Sequence, residues 1–227
     1  MVWCTKGGFF HRLMKWDEAI KCYDEALRIN PGYEDARNKK FEALDSSRKY
    51  YEIIKYHDNA IRANSKNADL WYKKGSDLHN IGNYNEAIKC FNQAISINPE
   101  HVNAGIIKGL ALDNLGEHDE AIECFNEAIN VDPNHADAWF SKGMLFGTLG
   151  EYDEAIKCYD EVIRINPDYT KAWSMKGLAL AKFEKYDEAI ECFNEAIRID
   201  PENVDAQVIE SLTLATLGKR MSDKGQL

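Results

Sequence analysis

Six cysteines and six histidines are the residues of this 227-residue chain that could ligate a metal, form disulfides or attack a substrate. Five of the cysteines, Cys22, Cys90, Cys124, Cys158 and Cys192, occupy one position of a recurring pattern, and Cys4 stands apart. Zinc needs donors within about 2.3 Å of one centre, and a disulfide needs Cα atoms within about 7 Å. Packed helices lie about 8–10 Å apart, and equivalent helices of successive units lie further apart because another helix intervenes. The ladder therefore reads as small packing residues in a reducing compartment. The histidines do no better. His101 and His135 share a repeat position, as do His11 and His79, while His57 and His118 replace recurring aromatics. None has a His or Cys three or four residues away, and no Cys-x2-Cys pair, Gly-rich phosphate loop or nucleophile elbow is present in the sequence. The expectation is a chain that is not an enzyme and that uses no metal or cofactor.

The elements that must position these residues follow from a 34-residue period. The run Asp187 to Phe193 has near-copies at Asp17 to Tyr23, Asn85 to Phe91, Asp119 to Phe125 and Asp153 to Tyr159, each followed by Pro31, Pro99, Pro133 or Pro167. Within a unit the apolar residues fall at three- and four-residue intervals, as in Trp139, Gly143, Phe146 and Leu149, then Ala155, Tyr159, Val162 and Ile163. That spacing predicts two amphipathic helices per unit. Gly82, Gly116 and Gly150 stand where the first helix must stop in a left-handed cap. Asp119, Asp153 and Asp187 are expected to cap the second helix, and the Asn-Pro or Asp-Pro pair to end it.

The pattern Trp-x2-Lys-Gly-x2-Leu, Gly-x-Tyr-x2-Ala, x3-Phe/Tyr, x2-Ala, x4-Pro resembles the tetratricopeptide repeat, and the resemblance covers nearly the whole chain. It implies an all-α fold, a right-handed α-solenoid of antiparallel helix pairs, with six repeats and a capping helix. Their bounds are 1–33 (entered part-way), 34–67 (degenerate), 68–101, 102–135, 136–169 and 170–203, then a cap at 204–218 and a disordered tail at 219–227. In the family frame Trp3, Trp71, Trp139 and Trp173 take position 4, Gly7, Gly75, Gly109, Gly143 and Gly177 position 8, and Ala19, Ala87, Ala121, Ala155 and Ala189 position 20. Small residues at 8 and 20 let the two helices of a unit approach closely.

Charge narrows the partners. A net charge of −10 opposes nucleic-acid binding, which needs clustered Lys and Arg. No apolar run is long enough to span a bilayer and no leader resembles a signal peptide, so the expectation is a soluble, cytoplasmic protein. The resemblance implies that positions 2, 5, 9 and 12 of the first helices face a bound peptide. In the early units this stripe includes Tyr72, Ser76 and His79. From the fourth unit onward it is mostly apolar: Ile106, Leu110, Phe140, Met144, Ser174, Leu178, Val208 and Leu212. An exposed apolar strip of that kind predicts a partner protein whose peptide or amphipathic helix lies in the groove. Burying three or four anchors at roughly 1.5–3 kcal/mol each, less the cost of association, gives micromolar affinity.

Two comparisons with the family pattern are negative. The carboxylate clamp of chaperone-binding members needs Lys, Asn, Asn, Lys and Arg at set positions of three successive units, and no three units here supply them. Residues 34–67 put Arg37, Phe41, Ile53 and Ser65 where the pattern has an aromatic, Gly, Ala and Pro, which predicts helices that splay or slide and a weaker hold on the first unit. At the ends, Gln207, Glu210 and Ser211 replace Trp, Lys and Gly, as suits a cap. Trp3, Phe9 and Phe10 have no preceding unit to cover them. Either the array was longer or this end self-associates into a homo-oligomer, which is the alternative reading of function.

Overall fold

The glycines expected to end first helices do so. Gly82, Gly116 and Gly150 have φ of +77°, +83° and +82°, a left-handed conformation that glycine enters without a Cβ penalty. In this computed structural model, which describes residues 2–202, 207–209 and 211–216, the same position is left-handed in two further units without glycine: Met14 at +56° and Glu184 at +64°.

The elements are α1 (Val2–Arg12), α2 (Trp16–Ile29), α3 (Glu34–Ala63), α4 (Ala68–Asn80), α5 (Tyr84–Ile97), α6 (Val102–Leu115), α7 (His118–Val131), α8 (Ala136–Leu149), α9 (Tyr152–Ile165), α10 (Thr170–Lys182) and α11 (Tyr186–Ile199). Residues 207–209 and 211–216 are helical. There is no strand among the described residues. The fold is all-α, built of antiparallel helix pairs of the solenoid type. The expected disordered tail, 219–227, and Glu210 lie outside the described residues.

Two compact units divide the chain, Met1–Gly116 and Glu117–Leu227. In the first, the pairs α1–α2 and α4–α5 flank α3, and α6 packs on α5. In the second, α8 pairs with α9 and α10 with α11, α9 packs on α10, and α7 on α8. Each pair closes by one device. A Cβ at Gly7, Gly75, Gly143 or Gly177 would lie 2.6 to 2.8 Å from the ring of Tyr23, Phe91, Tyr159 or Phe193. The ring fills the volume that a side chain would need, and these four rings are among the most completely buried side chains.

Neighbouring repeats are tied by two recurring bonds. The position-4 side chain donates to the carbonyl two residues past the preceding helix: Trp71 Nε1 to Ser65 (3.0 Å), Trp139 to Pro133 (3.1 Å) and Trp173 to Pro167 (2.8 Å). Arg37 and Gln207, which are not aromatic, make the same bond to Pro31 (2.7 Å) and Pro201 (2.8 Å). A lysine at position 7 pairs with an aspartate sixteen residues earlier, Lys40 with Asp24, Lys74 with Asp58 and Lys176 with Asp160, each at 2.6 Å.

Two local expectations are corrected. Asp119, Asp153 and Asp187 are not N-caps. The helices begin one residue earlier, at His118, Tyr152 and Tyr186, and the cap positions Glu117, Glu151 and Lys185 make no side-chain cap bond. The aspartates sit in the first turn, where they still meet the positive end of the dipole. The larger correction concerns residues 34–67. Instead of two splayed helices there is one unbroken helix of 30 residues, α3. Its first half packs with α2 through Ala36 and Ala43, and its second half contributes Ile54 to the core around Phe91. Phe41 at position 8 leaves no slot for a position-24 ring, and position 24 is His57, which instead turns to Asp77 Oδ2 at 2.9 Å. With no Phe or Tyr ring to bury between two halves, the turn gains nothing and the helix continues.

Candidate functional site

The thiols are placed for packing. All six cysteines are free and buried, and burial pushes Cys158 and Cys192 up to about 11, so they are protonated at neutral pH. Burial likewise raises Cys90 and Cys4, the latter also through its bond to Asp35 Oδ2 (3.2 Å). No three His, Cys, Asp or Glu among the described residues are arranged to hold a metal.

The groove residues divide by unit. In the first, Tyr72 is half-buried and packs against His101 with tilted rings, centroids 4.7 Å apart. His101 also accepts from Ala104 N through Nδ1 (3.2 Å) and sits 3.3 Å from Asp69. Ser76 and Leu110 are half-buried, but Ile106 is 4% exposed and offers no groove surface. That corrects its place in the stripe. Position 5 points into the packing beside the repeat's closing loop, where the long rings of Tyr72 and Phe140 keep an edge outside and the shorter isoleucine does not.

In the second unit the stripe assembles. Phe140 packs against Tyr169 and Tyr159 with tilted rings, centroids 5.3 Å and 5.9 Å apart. Tyr169 donates to Asp137 Oδ1 (2.9 Å), and burial together with this bond pushes its phenol up to about 12. An open cleft is lined by Phe140, Met144, Tyr169, Thr170, Lys171, Ser174, Met175, Asp200, Glu202 and Ile209. A second, more apolar recess adjoins it, lined by Met144, Gly147, Thr148, Tyr152, Tyr159, Met175, Leu178, Ala179 and Lys182. Met144 and Met175 belong to both, so α8 and α10 present one continuous floor shared by the two recesses. Four predicted residues are brought together there: Phe140, Met144, Ser174 and Leu178. Val208 and Leu212 are 51% and 62% exposed but line neither recess; the cap contributes Ile209, which also packs on the core around Phe193.

Tyr169 and the loop carboxylates Asp200 and Glu202 lie outside the predicted stripe. The signal was register: position 34, occupied by His101 and Tyr169, meets position 5 and position 2 of its own repeat. The Asp or Asn before each proline also has a fixed task, accepting the backbone N–H two residues on, as Asp200 does from Glu202 (3.1 Å) and Asn166 from Asp168 (3.2 Å).

At the amino end Trp3 is 37% and Phe9 53% exposed, whereas Phe10 packs against the core of α1 to α3 and is not bare as expected. Lys6 lies over the rings of both Trp3 (5.2 Å) and Phe10 (5.8 Å).

The family model described as tetratricopeptide repeat matches residues 1–33, 68–101, 107–135, 136–169 and 170–203. No curated protein matches the chain. Among solved structures, one of MamA is similar at 26% identity over 70% of this chain and 92% of that one, with a TM-score of 0.63. A structure of YrrB, described as a TPR protein with an unusual peptide-binding site, aligns at 23% identity over 83% of this chain and 97% of that one, TM-score 0.60. The first TPR of Spaghetti (RPAP3), bound to the HSP90 peptide SRMEEVD, aligns at 23% over 52% and 93%, TM-score 0.50.

Proposed function

This chain belongs to the tetratricopeptide repeat family, and from that premise we propose that it is a non-enzymatic, cytoplasmic adaptor that holds a peptide or amphipathic helix of another protein against α8 and α10. The observation that carries the reading is the continuous apolar floor of Phe140, Met144, Met175 and Leu178, bounded by the polar loop of Asp200 and Glu202. An apolar centre with a polar rim is the usual anatomy of a protein-binding surface, and two methionines give a floor that can adjust to its ligand. Two similar structures, YrrB and the RPAP3 repeat, are described as peptide binders, which supports the class of ligand. The acidic chaperone tail is not the expected ligand, since the clamp residues are missing.

The test is affinity capture from native extract with the intact chain and with a Phe140→Glu, Leu178→Glu variant of unchanged helical content. A protein held by the first and lost from the second supports the adaptor; retention of the same proteins by both removes it. The exposed Trp3 and Phe9 favour one alternative, self-association through α1. Light scattering of the intact chain and of a Trp3→Glu, Phe9→Glu variant decides that: a strict monomer at high concentration rules it out.

A further inference from the structure

Repeat position 12 is His11, Asp45, His79, Asp113 and Ala181 in the other units, and Gly147 in the fifth. Gly147 lies in the last turn of α8 without a positive φ, so the backbone does not require glycine there, and glycine within a helix is less stable than alanine. What it does is leave space beside the Tyr159 hydroxyl. A Cβ at residue 147 would stand 3.7 Å from the Tyr159 hydroxyl, and both residues line the inner recess. Tyr159 is 1% exposed, burial raises its pKa, and no described residue hydrogen-bonds its hydroxyl. The equivalent ring in repeats three, four and six is phenylalanine: Phe91, Phe125 and Phe193. Only the fifth repeat combines the phenol at position 24 with the gap at position 12.

We infer that Gly147 opens a socket for one large side chain of the bound peptide, and that this anchor is a tryptophan or tyrosine. The walls, Met144, Met175 and Leu178, are apolar and select a large apolar body. The floor includes the Tyr159 hydroxyl, which no described residue bonds, and an aliphatic anchor sealing the recess would leave it unsatisfied. An indole N–H or a phenol O–H satisfies it while the ring covers the methionines. The inference rests on the adaptor reading, because it names the ligand of the same groove.

The test uses a phage-displayed library of random dodecapeptides, selected on the intact chain. Enriched peptides should share a Trp or Tyr. Their affinity should fall about 10-fold or more in Gly147→Leu, by occlusion of the socket. Gly147→Ala should be at least as heat-stable as the natural chain, since its Cβ makes only ordinary contact. Tyr159→Phe should weaken Trp- and Tyr-containing peptides several-fold, about one neutral hydrogen bond, and leave Leu-for-Trp substituted peptides unchanged. Peptides that bind the intact chain and Gly147→Leu equally, yet fail on Phe140→Glu, overturn the socket and leave the adaptor standing. A library that yields no enriched peptide counts against both.

Discussion

Residues 34–67 and 170–203 are written in the same 34-residue frame, and one is a single helix while the other is a closed pair. Neither has glycine at the turn: the position is Arg48 in the first and Glu184 in the second. Glu184 nonetheless adopts φ of +64°, a conformation that costs a non-glycine residue roughly 1–2 kcal/mol. The turn residue therefore does not decide the outcome. What differs is position 8. Gly177 admits Phe193 to within what would be 2.6 Å of a Cβ, and burying a phenylalanine is favourable by about 1.5–3 kcal/mol before its neighbours are counted. That gain exceeds the strain at Glu184. Phe41 forfeits it and stands 73% exposed, with Ile53 at position 20 also outside.

The comparison breaks most completely if the sixth repeat is given the residues of the second. Gly177→Phe with Ala189→Ile should destabilise the chain by about 3 kcal/mol or more, because the overpacked pair cannot close without backbone shifts. Denaturant unfolding measures it. An effect below about 1 kcal/mol would mean that the slot at Gly177 is not what closes the pair.

The reverse change should fold α3 back on itself. Phe41→Gly, Arg48→Gly and Ile53→Ala restore the slot, the left-handed turn and the small position-20 residue. Spin labels at Asn38→Cys and Asn59→Cys report the result, since the six native thiols are buried. In a continuous helix the two sites are about 32 Å apart at 1.5 Å per residue. In a closed pair they should approach to about one interhelical spacing plus the label arms, near 15 Å. Unchanged distances would mean that α3 owes its continuity to the packing of α2 and α4 rather than to its own side chains.

How much of this was readable beforehand depends on whether the information was local. The period, the helix pairs and the glycine caps are written in residue type, because Gly82, Gly116 and Gly150 occupy a conformation few other residues adopt cheaply. The same conformation at Met14 and Glu184 carries no such mark; it is imposed by the packing that follows. The departures at Arg37, Phe41 and Ile53 were visible, but whether a pair with two large residues at its contact splays or opens is a balance of a few kcal/mol between packing and turn strain. Arg37 stands where the pattern has an aromatic, yet it supplies the same bond to a backbone carbonyl as Trp139 does. In the groove, Phe140, Met144, Ser174 and Leu178 were legible from the stripe. Tyr169, Asp200 and Glu202 were not, since they come from closing loops whose register with position 5 exists only after folding. The failure at Ile106 has the same origin: side-chain length against the covering layer decides exposure, and spacing alone does not contain it.

Alkaline titration separates the closed pairs from α3 on another axis. Position 23 is a buried thiol in the closed pairs, Cys158 and Cys192 among them, and the exposed Tyr56 in α3. Both thiols rise from 9.0 to about 11 on folding, so the folded state holds its protons more tightly. Stability from this source is intact below about pH 9 and lost as pH climbs through 11, by about 3 kcal/mol per thiol once both states are ionised. Chemical denaturation at pH 8, 9.5 and 11 should show that decline. Thiol reagents at pH 8 should meanwhile react slowly with the native chain and at once with the unfolded one. Rapid native-state modification would show the ladder to be accessible, against its burial.

The smallest effect bears most directly on why two repeats without a turn glycine still close. If Glu184 is held left-handed against its preference, Glu184→Gly should relieve it and stabilise the chain. The gain should be about 0.5–1 kcal/mol, less than the full strain because glycine also adds freedom to the unfolded state. Arg48→Gly made alone should do the opposite, since α3 is helical there and a glycine in a helix interior costs about 1 kcal/mol. The two single changes thus install the same residue at the same repeat position with opposite signs, read from urea midpoints at constant slope. Equal signs would mean that position 15 carries one preference throughout the chain, and that the turn, not the slot beneath Gly177, separates the open helix from the closed pair.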